Sequence, residues 1–224
     1  MKRLLYITHR VPYPPDKGDR IRTYHMLRSL AEQYQVDLLA LADEPVSAET
    51  KSVLERLCGK FACFPTRHAT RTLRMAWSIL SGRSASLAAF RVPALAEAVK
   101  TWLSDHTYDL LLASSSSVAP YLEPYAADRP LVVDLVDVDS EKWLNYAANA
   151  PFHKRWIYQR EAQALRQYET EISRKARATL LVSDAETELF RKIVPTAKAC
   201  TVTKGVNLNS FQATTPVGQA SPCV

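Results

Sequence analysis

Between Asp134 and Trp143 the sequence reads Asp-Leu-Val-Asp-Val-Asp-Ser-Glu-Lys-Trp. Acids this close repel one another unless something relieves them. Lys142 could neutralise them, or a network of sugar hydroxyls could donate to them. Asp137-Val138-Asp139 also spells D-x-D, a spacing that can clamp a divalent cation on a nucleotide sugar. The structural alternative is a helix-capping turn, with Asp139 or Ser140 as cap and Trp143 as packing. A second stretch with chemistry runs from His9 to Arg22 and contains Lys17, Gly18, Asp19, Arg20 and Arg22. Gly18 lets backbone pass close to a ligand, and a helix starting near Asp19 offers free amides and a positive dipole end. With Lys17, Arg20 and Arg22 adding charge, a phosphate or a sugar hydroxyl suits this loop. A solvated proline turn with Asp19 as an ordinary cap is the alternative. Ser114–Ser117 lacks a G-x-S-x-G elbow, so these serines read as helix caps or contacts to sugar hydroxyls.

The rest of the composition narrows the field. Hydrophobic residues make up 47% and charged residues 23% of the 224, which excludes disorder, coiled coil and collagen. Only 5 glycines are present, and none forms a G-x-G-x-x-G or a Walker P-loop. Cys58, Cys63, Cys200 and Cys223 form no C-x-x-C pair and no two histidines sit at ligand spacing, so no structural metal is expected and the thiols read as reduced and mostly buried. No run approaches the roughly 20 apolar residues of a membrane span. The apolar part of the first ten residues is too short for a signal peptide. The expected location is the cytoplasm, with peripheral contact at the inner membrane.

The net charge of +6 is unevenly spread. Residues 56–96 hold seven Arg and Lys and no Asp or Glu. Within them, a helix over Thr70–Leu80 would set Leu73, Trp77 and Leu80 on one face beside Arg71 and Arg74. Arg71, Arg74 and Trp77 are therefore expected to face an anionic membrane surface or a lipid phosphate. A solvated basic face is the plain alternative. Nucleic acid is not an expected partner, since aromatic platforms, zinc fingers and a helix-turn-helix are missing.

The elements that must position these residues alternate. Apolar runs at Leu4–Thr8, Val36–Leu41, Lys60–Phe64, Leu110–Ser114, Leu131–Val136, Thr179–Ser183 and Cys200–Thr203 predict strands. Helical spacing predicts helices from Asp19, over Ser47–Cys58 (capped by Ser47 and ended by Gly59), and over Pro93–Leu103, Trp156–Ala176 and Ala185–Ile193. Runs such as Leu-Val-Val-Asp-Leu-Val do not alternate polar with apolar, so the strands are buried on both faces. The fold class is α/β: a Rossmann-like, doubly wound, mostly parallel sheet with helices on both faces. In such a sheet ligands gather beyond the carboxyl ends of the strands, where both acidic and basic stretches fall.

Pro12-Tyr13-Pro14-Pro15-Asp16-Lys17-Gly18-Asp19-Arg20-Ile21-Arg22-Thr23-Tyr24, together with Val136-Asp137-Val138-Asp139-Ser140-Glu141-Lys142-Trp143, resembles the amino-terminal half of family-four retaining glycosyltransferases. In particular it resembles sugar transferases associated with PEP-CTERM/exosortase exopolysaccharide systems. Leu181–Glu186 is similar to that family's sixth-strand signature, and Lys204–Phe211 to the segment closing its first domain, with Lys204 and Asn207 replacing its usual Asn and Asp. The resemblance covers roughly residues 1–211 and implies GT-B architecture, with acceptor on the first domain, nucleotide sugar on the second, and no metal. It turns D-x-D into an acceptor-side acidic turn. Asp137 becomes the catalytic carboxylate, with Lys17, Gly18, Asp19, Arg20, Arg22, Asp139, Ser140 and Lys142 as acceptor-binding residues. Glu161 and Glu169 repeat the E-x7-E spacing of donor sites, but inside a polar helix without glycine-rich approach they read as salt-bridged surface residues.

The resulting expectation is one acceptor-side domain over residues 1–211 and a disordered tail over 212–224. It takes a glycan or lipid-linked sugar and holds no cofactor. A nucleotide-sugar donor enters only with a second domain, the transferase being split, truncated or remnant; a separate donor-binding domain is the partner in the split case, and the chain alone is expected to be inactive. A non-catalytic glycan- or lipid-phosphate-binding module and a small metal-dependent enzyme using Asp137 and Asp139 are the rival readings.

Overall fold

The computed structural model describes residues 1–66 and 68–203, apart from the side chains of residues 68–71, 76 and 80. The Arg71 side chain, Cys223, Lys204–Phe211 and the tail over 212–224 thus lie outside the described residues. Seven strands form one parallel sheet: β1 (Lys2–Thr8), β2 (Tyr34–Ala42), β3 (Lys60–Pro65), β4 (Leu110–Ser114), β5 (Leu131–Val136), β6 (Ala178–Leu181) and β7 (Ala199–Thr201). Their spatial order is β3-β2-β1-β4-β5-β6-β7. Leu4 pairs with Val36 on one side and Leu110 on the other, so β1 and β4 are the central pair where the winding reverses.

The period-two geometry of a strand gives the sheet two apolar faces. Leu5, Ile7, Leu39, Leu111 and Val133 pack against Leu95, Val99 and Leu103 of α5 (Pro93–Asp105), together with Ile172 of α7 (Phe152–Lys175) and Phe190 of α8 (Asp184–Ile193). Leu4, Tyr6, Val36, Leu38 and Leu112 pack on the other face against Leu27 of α1 (Gly18–Ala31) and Leu54 of α2 (Ala48–Leu57). The doubly wound reading is correct, and every expected strand is present with shifts of one or two residues at the ends. Ser47 caps α2 as expected, accepting from the Thr50 amide at 3.0 Å. Gly59 is explained by close packing instead: a Cβ there would meet Asp37 and Gln35 at 2.8 Å.

Three further α-helices lie among the described residues, α3 (His68–Leu80), α4 (Ala85–Ala89) and α6 (Asp139–Ala148), with short 3-10 turns at Ala119–Tyr121 and Glu123–Tyr125. The sequence pattern does not mark α4, marks α6 only through the capping-turn alternative at Asp139 and Ser140, and starts α7 one turn late. The thiols are less sheltered than expected, with Cys58 buried, Cys63 half-buried and Cys200 exposed. No helix among the described residues is long and apolar enough to cross a membrane.

The largest correction concerns Glu161 and Glu169. They are not surface residues: both are almost completely buried, at 2% and 0% exposure. The Glu161 carboxylate accepts from Ser84 Oγ at 2.5 Å and from the amides of Ala85 and Ser86 at 2.8 and 2.9 Å, closing the N-terminus of α4. Glu169 accepts from the Ser140 amide at 3.1 Å and Ser140 Oγ at 2.6 Å, closing the N-terminus of α6. A carboxyl at a helix N-terminus meets free amides and the positive dipole end, which gives both buried side chains their hydrogen-bond partners. Helix α7 therefore carries the caps of two other helices.

Candidate functional site

The carboxyl ends of β1, β4 and β5 carry a connected polar cluster. His9, the first residue after β1, places Nδ1 3.2 Å from the Ser114 carbonyl and Nε2 3.4 Å from Asp19. An imidazole can donate to one of two acceptors at a time and an imidazolium to both. Arg10 donates to Asp19 and reaches Asp43, both at 3.0 Å. The His9 hydrogen bond holds the Asp19 carboxyl well below the usual range; burial opposes this and the Arg10 charge adds to it. Asp19 is thus an ion-pair partner, not a helix cap; the capping position of α1 is Lys17, which makes no side-chain capping bond.

Backbone strain concentrates on the same edge. Ser115 (φ 95°) and Val136 (φ 69°) are the described non-glycine residues in the left-handed region. Val136 follows a register irregularity in β5 and is β-branched, so its conformation is unfavourable and imposed by its surroundings. The bend it makes presents Asp137 and Asp139 outward. Lys142 Nζ lies 2.7 Å from Asp137 and 3.3 Å from Asp139. Burial works to lower the Lys142 ammonium, but the Asp137 hydrogen bond and the two negative charges outweigh it and leave it raised. Ser116 donates to Asp139 at 2.9 Å, so β4 and β5 are joined at this edge. Asp137, Asp139 and Lys142 keep 30%, 32% and 45% of their side-chain surface, enough to meet a ligand.

Other expected site residues are placed differently. Arg22 and Ser140 are buried: Arg22 forks onto Asp134 at 2.9 and 2.8 Å, and Ser140 is fully engaged by Glu169. They position the edge from beneath and do not meet an acceptor. Ser140 and Asp139 are not the cap of α6 either, since Glu169 and Glu186, which accepts the Val138 amide at 2.7 Å, hold that end. Arg20 is paired with Asp16 and Glu44 at 3.2 Å, and Lys17 with Glu44 at 3.2 Å. The expected cationic cradle is therefore neutralised by Asp16, just before α1, and by Glu44, just after β2. Gly18 is exposed at the start of α1. The link between the basic and acidic segments runs through His9, Ser114 and Ser116 instead. The sequence reading assigned no role to His9, although its place directly after the first strand was the available signal. Trp143 packs as expected, its ring 5.3 Å from that of Tyr158.

Among the described residues, no group of three or more His, Cys, Asp or Glu is arranged to hold a metal ion. Beside the polar edge lies a groove of about 1070 Å³ whose walls include Leu73, Trp77, Arg91, Ser117, Tyr121 and Tyr168. Ser117 hydrogen-bonds Ser115, and Phe90, next to Arg91, sets its ring 6.3 Å from His9. The groove therefore reaches the segment after β4 through Ser117, while His9, Asp137, Asp139 and Lys142 stand outside its walls.

A seven-stranded parallel Rossmann-like sheet wrapped by helices is the fold of a single domain of GT-B glycosyltransferases, and it matches about half the length of solved structures of that class. One is UGT2 of Phytolacca americana, complexed with UDP-2fluoro-glucose and pterostilbene: TM-score 0.52, 11% identity, covering 90% of this chain and 54% of that one. Another is a UDP-glucosyltransferase of Polygonum tinctorium capable of glucosylating indoxyl: TM-score 0.51, 8% identity, 96% and 55% covered. The chain thus spans about half the length of these enzymes. No family model matches the chain, and no curated protein does.

Proposed function

We propose that this chain is the acceptor-binding half of a nucleotide-sugar-dependent glycosyltransferase, of the retaining family-four kind, serving exopolysaccharide or glycolipid synthesis. The observation that carries the reading is the Asp137–Lys142–Asp139 group standing half-exposed at the carboxyl edge of the sheet and joined through Ser116 to β4. Paired with Lys142, Asp137 accepts a hydrogen bond from an acceptor sugar hydroxyl and orients it. Asp139, held by Ser116 and Lys142, fixes the lysine. In retaining transfer, as the resemblance implies, the departing phosphate takes the hydroxyl proton, so Asp137 need not be a strong base. The donor nucleotide sugar binds a second domain, and transfer needs both halves in one closed cleft.

The test is calorimetric titration of the chain with a panel of oligosaccharides and lipid-linked sugars. Binding of a panel member by wild type, weakened in Asp137→Asn at unchanged melting temperature, is the expected result. Absence of binding to every member overturns the acceptor reading. Radiolabelled transfer by the chain alone, from any nucleotide sugar, overturns the division into halves.

A further inference from the structure

Two acid-free stretches of the sequence are basic and lie on neighbouring elements. Residues 56–96 hold seven Arg and Lys, and residues 142–160 hold four. The fold brings them together. Arg160 of α7 donates to the carbonyls of Ser78 and Arg83, at 3.0 and 2.9 Å, where α3 ends and turns toward α4. Its neighbour Glu161 caps α4. On this corner stand large apolar side chains left in water. Leu73 (73% exposed) and Trp77 (72%) lie one turn apart on α3, and Phe152 (90%) and Trp156 (57%) one turn apart on α7. Phe152, Trp156 and Arg160 recur every four residues, so Trp156 lies one turn before the arginine that reaches the end of α3, and Phe152 one turn before that. Exposed Arg83, Lys154 and Arg155 stand among them. Apolar groups this exposed and this clustered mark a contact surface.

We propose that α3, its turn into α4 and the first two turns of α7 form one surface that docks on an anionic lipid bilayer. Trp77, Trp156, Phe152 and Leu73 enter the headgroup level, and Arg83, Lys154 and Arg155 face the lipid phosphates. The chemistry selects this occupant: aromatic rings interleaved with Lys and Arg, without an acid, match the bilayer interface. A nucleic acid would want an unbroken basic track with its apolar groups stacked on bases, whereas here indole and phenyl groups project furthest. The surface extends beyond the helix face that the sequence marked, since α7 supplies half of its apolar contacts. Arg74, expected there, hydrogen-bonds the Arg91 carbonyl within the fold. Leu73 and Trp77 also wall the groove that reaches Ser117, where Glu97, Glu123 and Glu171 lie on the other walls, so a lipid-borne acceptor on the bilayer would meet that groove. That last step rests on the acceptor function proposed above; the docking does not.

The test is co-sedimentation of the purified chain with vesicles of equal parts phosphatidylglycerol and phosphatidylcholine, against pure phosphatidylcholine. Binding should require the anionic lipid and weaken with salt. A surface basic residue contributes about fivefold to partitioning, so Lys154→Ala with Arg155→Ala should weaken it roughly 30-fold. Phe152→Ser, Trp156→Ser and Trp77→Ser together should abolish quenching of tryptophan fluorescence by brominated lipid and sharply reduce binding. Because these side chains are exposed, melting temperatures should stay within a few degrees, and circular dichroism checks each variant. Equal binding to neutral vesicles, an unchanged Lys154/Arg155 variant, or tighter binding to RNA than to anionic vesicles overturns the proposal. None of these readouts involves sugar transfer, so failure here is distinct from failure of the function proposed above.

Discussion

Arg22 of α1 and Asp134 of β5 form a two-pronged ion pair inside the protein, with side chains 3% and 1% exposed. Nε and Nη2 each take one carboxylate oxygen, and Nη1 donates to the Val202 carbonyl beyond β7. Three distant parts of the chain are thereby fixed beneath the candidate site. Removing one partner leaves an uncompensated buried charge, so Arg22→Ala or Asp134→Ala should each lose about 3–5 kcal/mol of stability. The double replacement Arg22→Met with Asp134→Leu should lose much less than either, because no charge is stranded. Urea denaturation of the three variants checks both statements.

Glu169 gives the protein a pH dependence with a definite sign. Burial pushes its carboxyl up to about 7, against the two Ser140 hydrogen bonds that work to lower it. Between about pH 4.3, where an unfolded glutamate loses its proton, and pH 7, the native chain holds a proton the unfolded chain has lost. This group's contribution to stability is therefore full below that window and falls as pH rises through it, by at most about 1.4 kcal/mol per pKa unit. Asp19 acts the other way and in strong acid, its lowered carboxyl contributing stability that is lost as pH falls below the ordinary carboxylate range. Melting curves from pH 5 to 8 should show the Glu169 slope in wild type and a flatter profile in Glu169→Gln.

Loss of the Glu161 cap should act locally. Glu161→Ala strands the amides of Ala85 and Ser86 and the Ser84 hydroxyl in a buried setting, at about 1–3 kcal/mol for each unsatisfied group. Hydrogen exchange at Ala85 and Ser86 should accelerate far more than exchange in the central strands.

Lys142 stands between Asp137 and Asp139, where a cation would otherwise sit. Lys142→Met should change stability by no more than about 1 kcal/mol, since the pair is exposed. It should nevertheless raise manganese affinity, read as paramagnetic broadening of the Asp137 and Asp139 resonances. Saturable broadening in wild type would instead favour the metal-dependent rival.

The sheet was legible because its strands are continuous apolar runs, as at Leu110–Ser114 and Leu131–Val136, and such runs need cover on both faces. The acidic edge was legible for the same reason, as the segment following such a run. What escaped depends on partners distant in sequence. Lys17 and Arg20 look like a phosphate cradle until Glu44 is placed beside them. Glu161 and Glu169 look solvated until the spacing of Glu161, Leu165, Glu169 and Ile172 is seen to be a single buried stripe. Helix α6 looked like a turn because its caps come from α7 and α8, and no local residue announces them.

The left-handed Val136 carries an implication for protein engineering. A β-branched residue there is disfavoured by about 1–2 kcal/mol, whereas glycine adopts that geometry freely and gives back part of the gain as unfolded-chain entropy. A library sorted for heat resistance alone should enrich Val136→Gly, and the same pressure acts on Ser115. Both changes would slacken the turns that present Asp137 and tether Asp139. Thermal ranking and acceptor affinity should therefore diverge at these two codons, and sorting by temperature would discard function there first.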